Sequence, residues 1–222
     1  RMTPDADVES SLKFAPDGKR FAYVRGRGEL WTRAADGGDP TKVFESWDEP
    51  QYDWSPDAKW FVYAAFDEEF NRDVWIRPAD GTGAEKTITR MGPGFRYRLF
   101  WSPDGRKIAF ADQAMNINIA DVATGQVTRI DKGLSMHEGD LRRFRCNWSP
   151  DSRWMAYSRA AGNSNEVVHL YDAKNGVLHR ATSDFSWLNA FMTRTPGSAS
   201  ATTLVIKLHR WNNLSQPLCS FL

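Results

Sequence analysis

Four copies of one short phrase constrain this chain more than any other feature in it. Phe14-Ala15-Pro16-Asp17-Gly18-Lys19-Arg20-Phe21-Ala22-Tyr23 returns as Trp54-Ser55-Pro56-Asp57-Ala58-Lys59-Trp60-Phe61-Val62-Tyr63. It returns again as Trp101-Ser102-Pro103-Asp104-Gly105-Arg106-Lys107-Ile108-Ala109-Phe110 and as Trp148-Ser149-Pro150-Asp151-Ser152-Arg153-Trp154-Met155-Ala156-Tyr157. The prolines stand at 16, 56, 103 and 150, giving periods of 40, 47 and 47 residues. Repeats of about 40–50 residues are single supersecondary units that bury their apolar faces only by stacking on their copies.

Each copy has a second half. Leu30-Trp31 leads to Asp36-Gly37, Val74-Trp75-Ile76 to Asp80-Gly81, Ile117-Asn118-Ile119 to Thr124-Gly125, and Val168-His169-Leu170-Tyr171 to Asn175-Gly176. A short strand pattern follows each of these turns. The unit therefore reads strand, tight turn, strand, loop, strand, tight turn, strand, which is a four-stranded antiparallel propeller blade. In the turns at 16–18, 56–58, 103–105 and 150–152, proline presets φ, Asp suits the next position, and the last residue takes the left-handed conformation. Asp17, Asp57, Asp104 and Asp151 are accordingly read as turn-forming carboxylates rather than catalytic acids. Runs such as Phe61-Val62-Tyr63-Ala64-Ala65 lack polar alternation, which marks strands buried on both faces. Most tryptophans share three repeat positions (Trp54, Trp101 and Trp148; Trp60 and Trp154; Trp31 and Trp75) and are expected in the core. The fold class is all-β: a partial β-propeller with four clear blades and a degraded fifth.

The pattern holds over residues 1–184 and fails over 185–222. Pro196-Gly197 stands where a fifth turn is due, but Phe191 to Thr195 lack its aromatic and Asp positions. All 28 acidic residues lie at or before Asp184; at that density the last 38 should hold about six, and they hold none. The tail is read as divergent, truncated or frame-shifted, with a divergent strand over 203–208 as the rival. A ring lacking blades leaves strand edges unpaired, so poor solubility is expected of these blades alone.

Composition removes several functions. With 29 basic and 28 acidic residues the net charge is +1, giving no field for nucleic acid or an anionic membrane. No apolar stretch approaches the ~20 residues of a membrane span. Cys146 and Cys219 are neither a disulfide framework nor a metal-ligand set, and no cofactor is implied. The opening Arg1-Met2-Thr3-Pro4 has no signal-peptide pattern, and a first residue other than Met is expected of a fragment or processed chain. The compartment stays open between cytoplasm and periplasm.

No Gly-x-Ser-x-Gly elbow is present, and His137, His169, His179 and His209 form no His-x-x-x-His pair. The chain itself is read as non-catalytic. His169 and His179 are read as satisfied blade residues, and His137-Glu138-Gly139-Asp140 as a polar loop without a metal. The Asn71-Arg72-Asp73 segment is read as a joining loop. Arg142 and Arg143 are the candidate substrate-binding residues, because guanidinium groups can hold a peptide's terminal carboxylate bidentately. The competing reading gives them solvation, or pairing with Glu138 and Asp140.

The turn phrase resembles propellers of the TolB kind, and equally those of tricorn-type and prolyl-oligopeptidase-type peptidases. Three longer stretches look like tricorn protease homologues: Tyr52 to Trp60 with Phe70-Asn71-Arg72-Asp73-Val74-Trp75, Leu141 to Arg159, and Leu170 to Gly176 ahead of Thr182-Ser183-Asp184. The resemblance covers roughly residues 8–185 and carries over no catalytic residue. It implies the propeller portion of a serine peptidase, a scaffold and channel for peptide substrates and products, with catalytic domains downstream and room for homo-oligomers. The alternatives it leaves are a TolB-like periplasmic interaction module and the lid of a prolyl-oligopeptidase-type enzyme.

Overall fold

The structure, a computed structural model, describes residues 9–26, 28–46, 49–66, 72–133, 146–160, 166–182, 188–194, 202–208 and 220–221. All regular structure among them is β. The first sheet holds β1 (Glu9–Phe14), β2 (Arg20–Arg25), β3 (Glu29–Ala34) and β4 (Thr41–Glu45). The second holds β5 (Gln51–Trp54), β6 (Trp60–Phe66), β7 (Arg72–Pro78) and β8 (Lys86–Thr87). The third holds β9 (Arg96–Trp101), β10 (Lys107–Asp112), β11 (Asn116–Asp121) and β12 (Val127–Lys132). The fourth holds β13 (Cys146–Trp148), β14 (Trp154–Ala160), β15 (Glu166–Asp172) and β16 (Val177–Arg180). In each sheet the strands lie in chain order. A fifth, three-stranded sheet pairs β17 (Leu188–Arg194), β18 (Thr202–Leu208) and β19 (Ser220–Phe221). The chain divides into two compact units, residues 1–101 and 102–222.

The turn phrase does what its chemistry dictates. The amide of the fourth turn residue donates to the carbonyl of the first at 2.9 Å (Gly18 to Ala15), 2.9 Å (Ala58 to Ser55), 2.8 Å (Gly105 to Ser102) and 2.8 Å (Ser152 to Ser149). Those fourth residues have φ of 69°, 58°, 73° and 60°, the left-handed conformation that follows a type I turn in a bulged hairpin. The Asp carboxylate accepts the amide two residues on, from Lys19 at 2.9 Å, Lys59 at 3.1 Å, Arg106 at 3.0 Å and Arg153 at 3.1 Å. In three copies serine adds a second tie. Its hydroxyl donates to the Asp carboxylate and accepts the first amide of the next strand, at 2.9 Å from Trp60, 2.9 Å from Lys107 and 2.8 Å from Trp154. Burial opposes ionisation of Asp57, yet the Ser55 hydroxyl and the Lys59 amide outweigh it and hold the carboxyl below its ordinary range.

The second strand of each blade is buried on both faces. Phe21 to Val24, Phe61 to Ala64, Ile108 to Ala111 and Met155 to Tyr157 are all 2% exposed or less. Large and small residues alternate along them, so a neighbour's bulk has somewhere to go. Within the first unit, Phe44 of β4 stacks on Tyr63 of β6 with centroids 4.2 Å apart. The Tyr52 hydroxyl of β5 donates to two backbone carbonyls of the first blade, Ser11 and, at 2.9 Å, Ala22. Arg20 lies 5.2 Å over the Trp54 ring and donates to the Ala58 carbonyl, tying one blade to its neighbour's turn. In the second unit the Asp104 amide donates to the Ser152 hydroxyl at 2.9 Å, joining the third and fourth turns.

Three sequence expectations change. Only Trp54 and Trp148 among the repeat tryptophans are buried; Trp31, Trp75, Trp101 and Trp154 are half-buried, and Trp60 is 36% exposed. Trp60 and Trp154 open their strands beside the turn, and Trp154 is covered by the Arg153 guanidinium, 4.9 Å from its ring, rather than by a neighbouring blade. Arg72 and Asp73 open β7 and are buried, so they are not part of a joining loop. Finally, the short strand expected after Asp80-Gly81 shrinks to the two residues of β8. There the Thr89 hydroxyl, not a ladder carbonyl, accepts the Val74 amide at 3.0 Å, and Thr182 does the same for Val168 at 3.0 Å.

Two glycines separate conformational strain from crowding. Gly105 has φ 73° and open space where a Cβ would stand, whereas at Gly81 (φ 76°) a Cβ would meet the Lys42 carbonyl oxygen of β4 at 2.9 Å. Gly105→Ala is expected to cost about 1 kcal/mol through φ alone. Gly81→Ala should cost roughly 2–3 kcal/mol, because β4 must also move. Urea titrations of the two variants measure the difference, and equal costs would contradict this account.

Candidate functional site

The candidate substrate-binding residues Arg142 and Arg143 lie outside the described residues, as do His137, Glu138, Gly139, Asp140, His209 and Cys219. The described chain leaves β12 at Gly133 and resumes at Cys146 in β13. The described residues where β12 ends and β13 begins form a polar cluster.

Asp131, near the end of β12, is the centre of the cluster. Its carboxylate accepts the Tyr157 hydroxyl of β14 at 2.7 Å and pairs with the Arg159 guanidinium at 2.5 Å, its side chain only 9% exposed. Arg159 also donates to the Lys132 carbonyl at 3.0 Å. Burial, and then the bond to Asp131, pushes the Tyr157 hydroxyl's pKa far above its usual value, so it stays a donor. His169 of β15 stacks on Tyr157, centroids 5.6 Å apart, and one ring nitrogen lies 3.2 Å from the Val167 carbonyl. Register places Cys146, Tyr157, His169 and Arg180 opposite one another across the sheet. Cys146 is buried.

The opposite end of the same pair of blades carries a cavity of about 120 Å³. Lys107, Asp121, Gln126, Thr128 and Tyr171 are among its walls. In the first unit, Asp73 accepts the Thr89 hydroxyl at 2.9 Å and lies 3.7 Å from Arg96, both ionic side chains being almost wholly buried. Arg96 donates to the Gly92 carbonyl at 3.0 Å, and the Arg72 amide to Gly94 at 3.1 Å. These bonds pin the loop between β8 and β9.

The Ser–Asp pairs of this chain are turn closures. Ser55, Ser102 and Ser149 spend their hydroxyls on the Asp carboxylate and a backbone amide, an arrangement without the imidazole base of a serine nucleophile. Among the described residues, no group of three His, Cys, Asp or Glu side chains could hold a metal ion. His169 is a satisfied blade residue, and His179 in β16 lies 5.9 Å from the Trp154 ring. Asp131 escaped sequence reading, although one signal was present. Asp131 opposes Ile117 as Phe44 opposes Leu30, so a carboxylate stands where a sister blade has an aromatic ring.

No family model matches the chain. Over 102 residues it is 28% identical to a tricorn protease homologue from Saccharolobus solfataricus, covering 45% of this chain and 9% of that protein. Over 113 residues it is 32% identical to a protein of Sulfurisphaera tokodaii described as a tricorn-like protease C-terminal subunit, covering 50% of this chain and 13% of that one. The chain thus matches only a small part of the length of these relatives. Among solved structures, the tricorn protease superposes with a TM-score of 0.70 at 19% identity, over 95% of this chain and 20% of that one. A structure described as TolB from Agrobacterium tumefaciens gives 0.64 at 21% identity, over 91% and 71%. Repeated four-stranded antiparallel sheets and these likenesses define the class: the fold is a β-propeller. Within that class, the sequence is similar to tricorn protease homologues over about half of the chain.

The junction cluster makes stability depend on pH. Burial, and then the Arg159 charge, lowers the pKa of His169 below the 6.5 of a free imidazole. The unfolded chain therefore takes up a proton near pH 6.5 that the folded chain refuses, so stability is full above that pH and falls as pH drops towards the folded value. Denaturant titrations from pH 8 to pH 5 should show this loss, and His169→Gln should flatten it; an unchanged profile would remove His169 as its source. Tyr157→Phe, which deletes a bond to a charged acceptor, is expected to cost roughly 2 kcal/mol.

Proposed function

We propose that this chain is the non-catalytic propeller portion of a tricorn-like serine peptidase, serving as scaffold and as a channel for peptide substrates and products. The observation that carries the reading is the sequence match to tricorn homologues, spanning about half the chain. The structure is compatible with it, because the Ser–Asp pairs close turns and Asp131, Tyr157 and Arg159 join two blades. The mechanism is geometric: a passage bounded by rigid, doubly buried sheets admits an extended polypeptide and excludes a folded one. Arg142 and Arg143 act in this reading as guanidinium donors to a peptide's terminal carboxylate. A TolB-like interaction module is the second reading, favoured by the chain's coverage of 71% of the TolB structure.

Two measurements on the complete parent protein separate these readings. Removing the propeller is expected to leave cleavage of a short chromogenic peptide within a few-fold while a folded protein loses its protection; a parent with no peptidase activity would favour the interaction module. Replacing Arg142 and Arg143 by Ala should slow cleavage of peptides with a free C-terminus about tenfold and leave C-terminally amidated ones unchanged. Equal losses on both would count against carboxylate capture.

A further inference from the structure

We propose that the cavity between the third and fourth blades is a binding site for a small zwitterion, an α-amino acid of glycine or alanine size. Lys107 would take its carboxylate and Asp121 its ammonium group.

Lys107 and Asp121 face each other as register partners on β10 and β11, and both line the cavity. Their charged groups nevertheless remain more than 4 Å apart, and the Lys107 ammonium has no hydrogen bond or ion pair among the described residues. Asp121 is fixed in place. Its Oδ1 accepts the Ala123 amide at 3.1 Å and, at 2.9 Å each, the Thr124 amide and hydroxyl. The Thr124 amide first, and then its hydroxyl, hold the Asp121 carboxyl below its usual range, so it is ionised. Its Oδ2 has no partner among the described residues.

The remaining wall supplies uncommitted donors. The Tyr171 hydroxyl has no hydrogen-bond partner among the described residues, although the residue is buried. Burial, and then Asp172, raises its pKa, which keeps the proton available for donation. The side chains of Gln126 and Thr128 are likewise uncommitted among the described residues. The cavity, about 120 Å³, accommodates the charged groups and short side chain of a small amino acid, and the exposed Gln126 and Thr128 leave it open to solvent. Opposite charges on facing walls also select by charge. A simple anion meets Asp121, a simple cation meets Lys107, and only a ligand carrying both charges satisfies the two together.

This inference does not depend on the peptidase reading. Isothermal titration of the full chain with alanine, glycine, N-acetylalanine, alanine amide and acetate tests it. Alanine and glycine are expected to bind, with the blocked derivatives and acetate at least tenfold weaker. Lys107→Met should weaken alanine at least tenfold. Thr128→Phe, at an exposed position of the cavity wall, should abolish binding by filling the space while leaving both charges in place. Alanine binding no tighter than its blocked derivatives, or unchanged in either variant, overturns the proposal.

Discussion

The second strand of every blade is closed to water on both faces, and the rest of the structure follows from that burial. A strand so placed has no solvent side, so its side chains must all be apolar or carry their own polar partner. It cannot bury itself within one sheet. The large residues at Phe21, Tyr23, Phe61, Tyr63, Ile108, Phe110, Met155 and Tyr157 therefore require neighbouring sheets, and repetition becomes a physical requirement. The hairpin that starts the strand must also be rigid, because a one-residue slip would exchange its faces. Serine, proline, aspartate and a left-handed residue supply that rigidity with four separate constraints over four positions.

This hierarchy explains what could be read in the sequence. The hairpins were legible because their hydrogen bonds are local: Asp57 reaches Lys59 and Ser55 reaches Trp60 within the same few residues. The buried strands were legible because a run without alternation has few other uses in a β protein. Contacts between copies were not legible. The spacing of Trp60 and Trp154 is as regular as that of Trp54, yet the former two sit beside turns while Trp54 donates across to the Lys13 carbonyl at 3.2 Å. The shortening of β8 was hidden for a related reason. A threonine in a strand pattern looks like any β-branched residue, and only the structure shows Thr89 and Thr182 taking a strand amide with the side chain.

Function is thereby pushed to the blade ends. Side chains in the middle of the blades are committed to packing, whereas the ends can hold charged groups without opening the core. The third and fourth blades illustrate both uses. At one end Asp131 and Arg159 form an ion pair, and at the other Lys107 and Asp121 face each other without meeting. The first joins two blades; the second is where the proposed ligand would sit.

The matched end also bears on how the blades keep their order. Phe44 on Tyr63 and Asp131 with Tyr157 occupy the same place in the repeat. An ion pair of this kind, partly withdrawn from water, stabilises no better than an apolar contact of the same volume, so stability alone gives no reason for the exchange. Discrimination does. A blade carrying Arg159 set against a Phe44-type surface would leave its guanidinium without a carboxylate, and a β12 carrying Asp131 set against a blade without Arg159 would strand a carboxylate. Chains built from near-identical units face many almost equivalent wrong pairings, and one charged exchange at a single repeat position penalises them while leaving the correct pairing close to neutral.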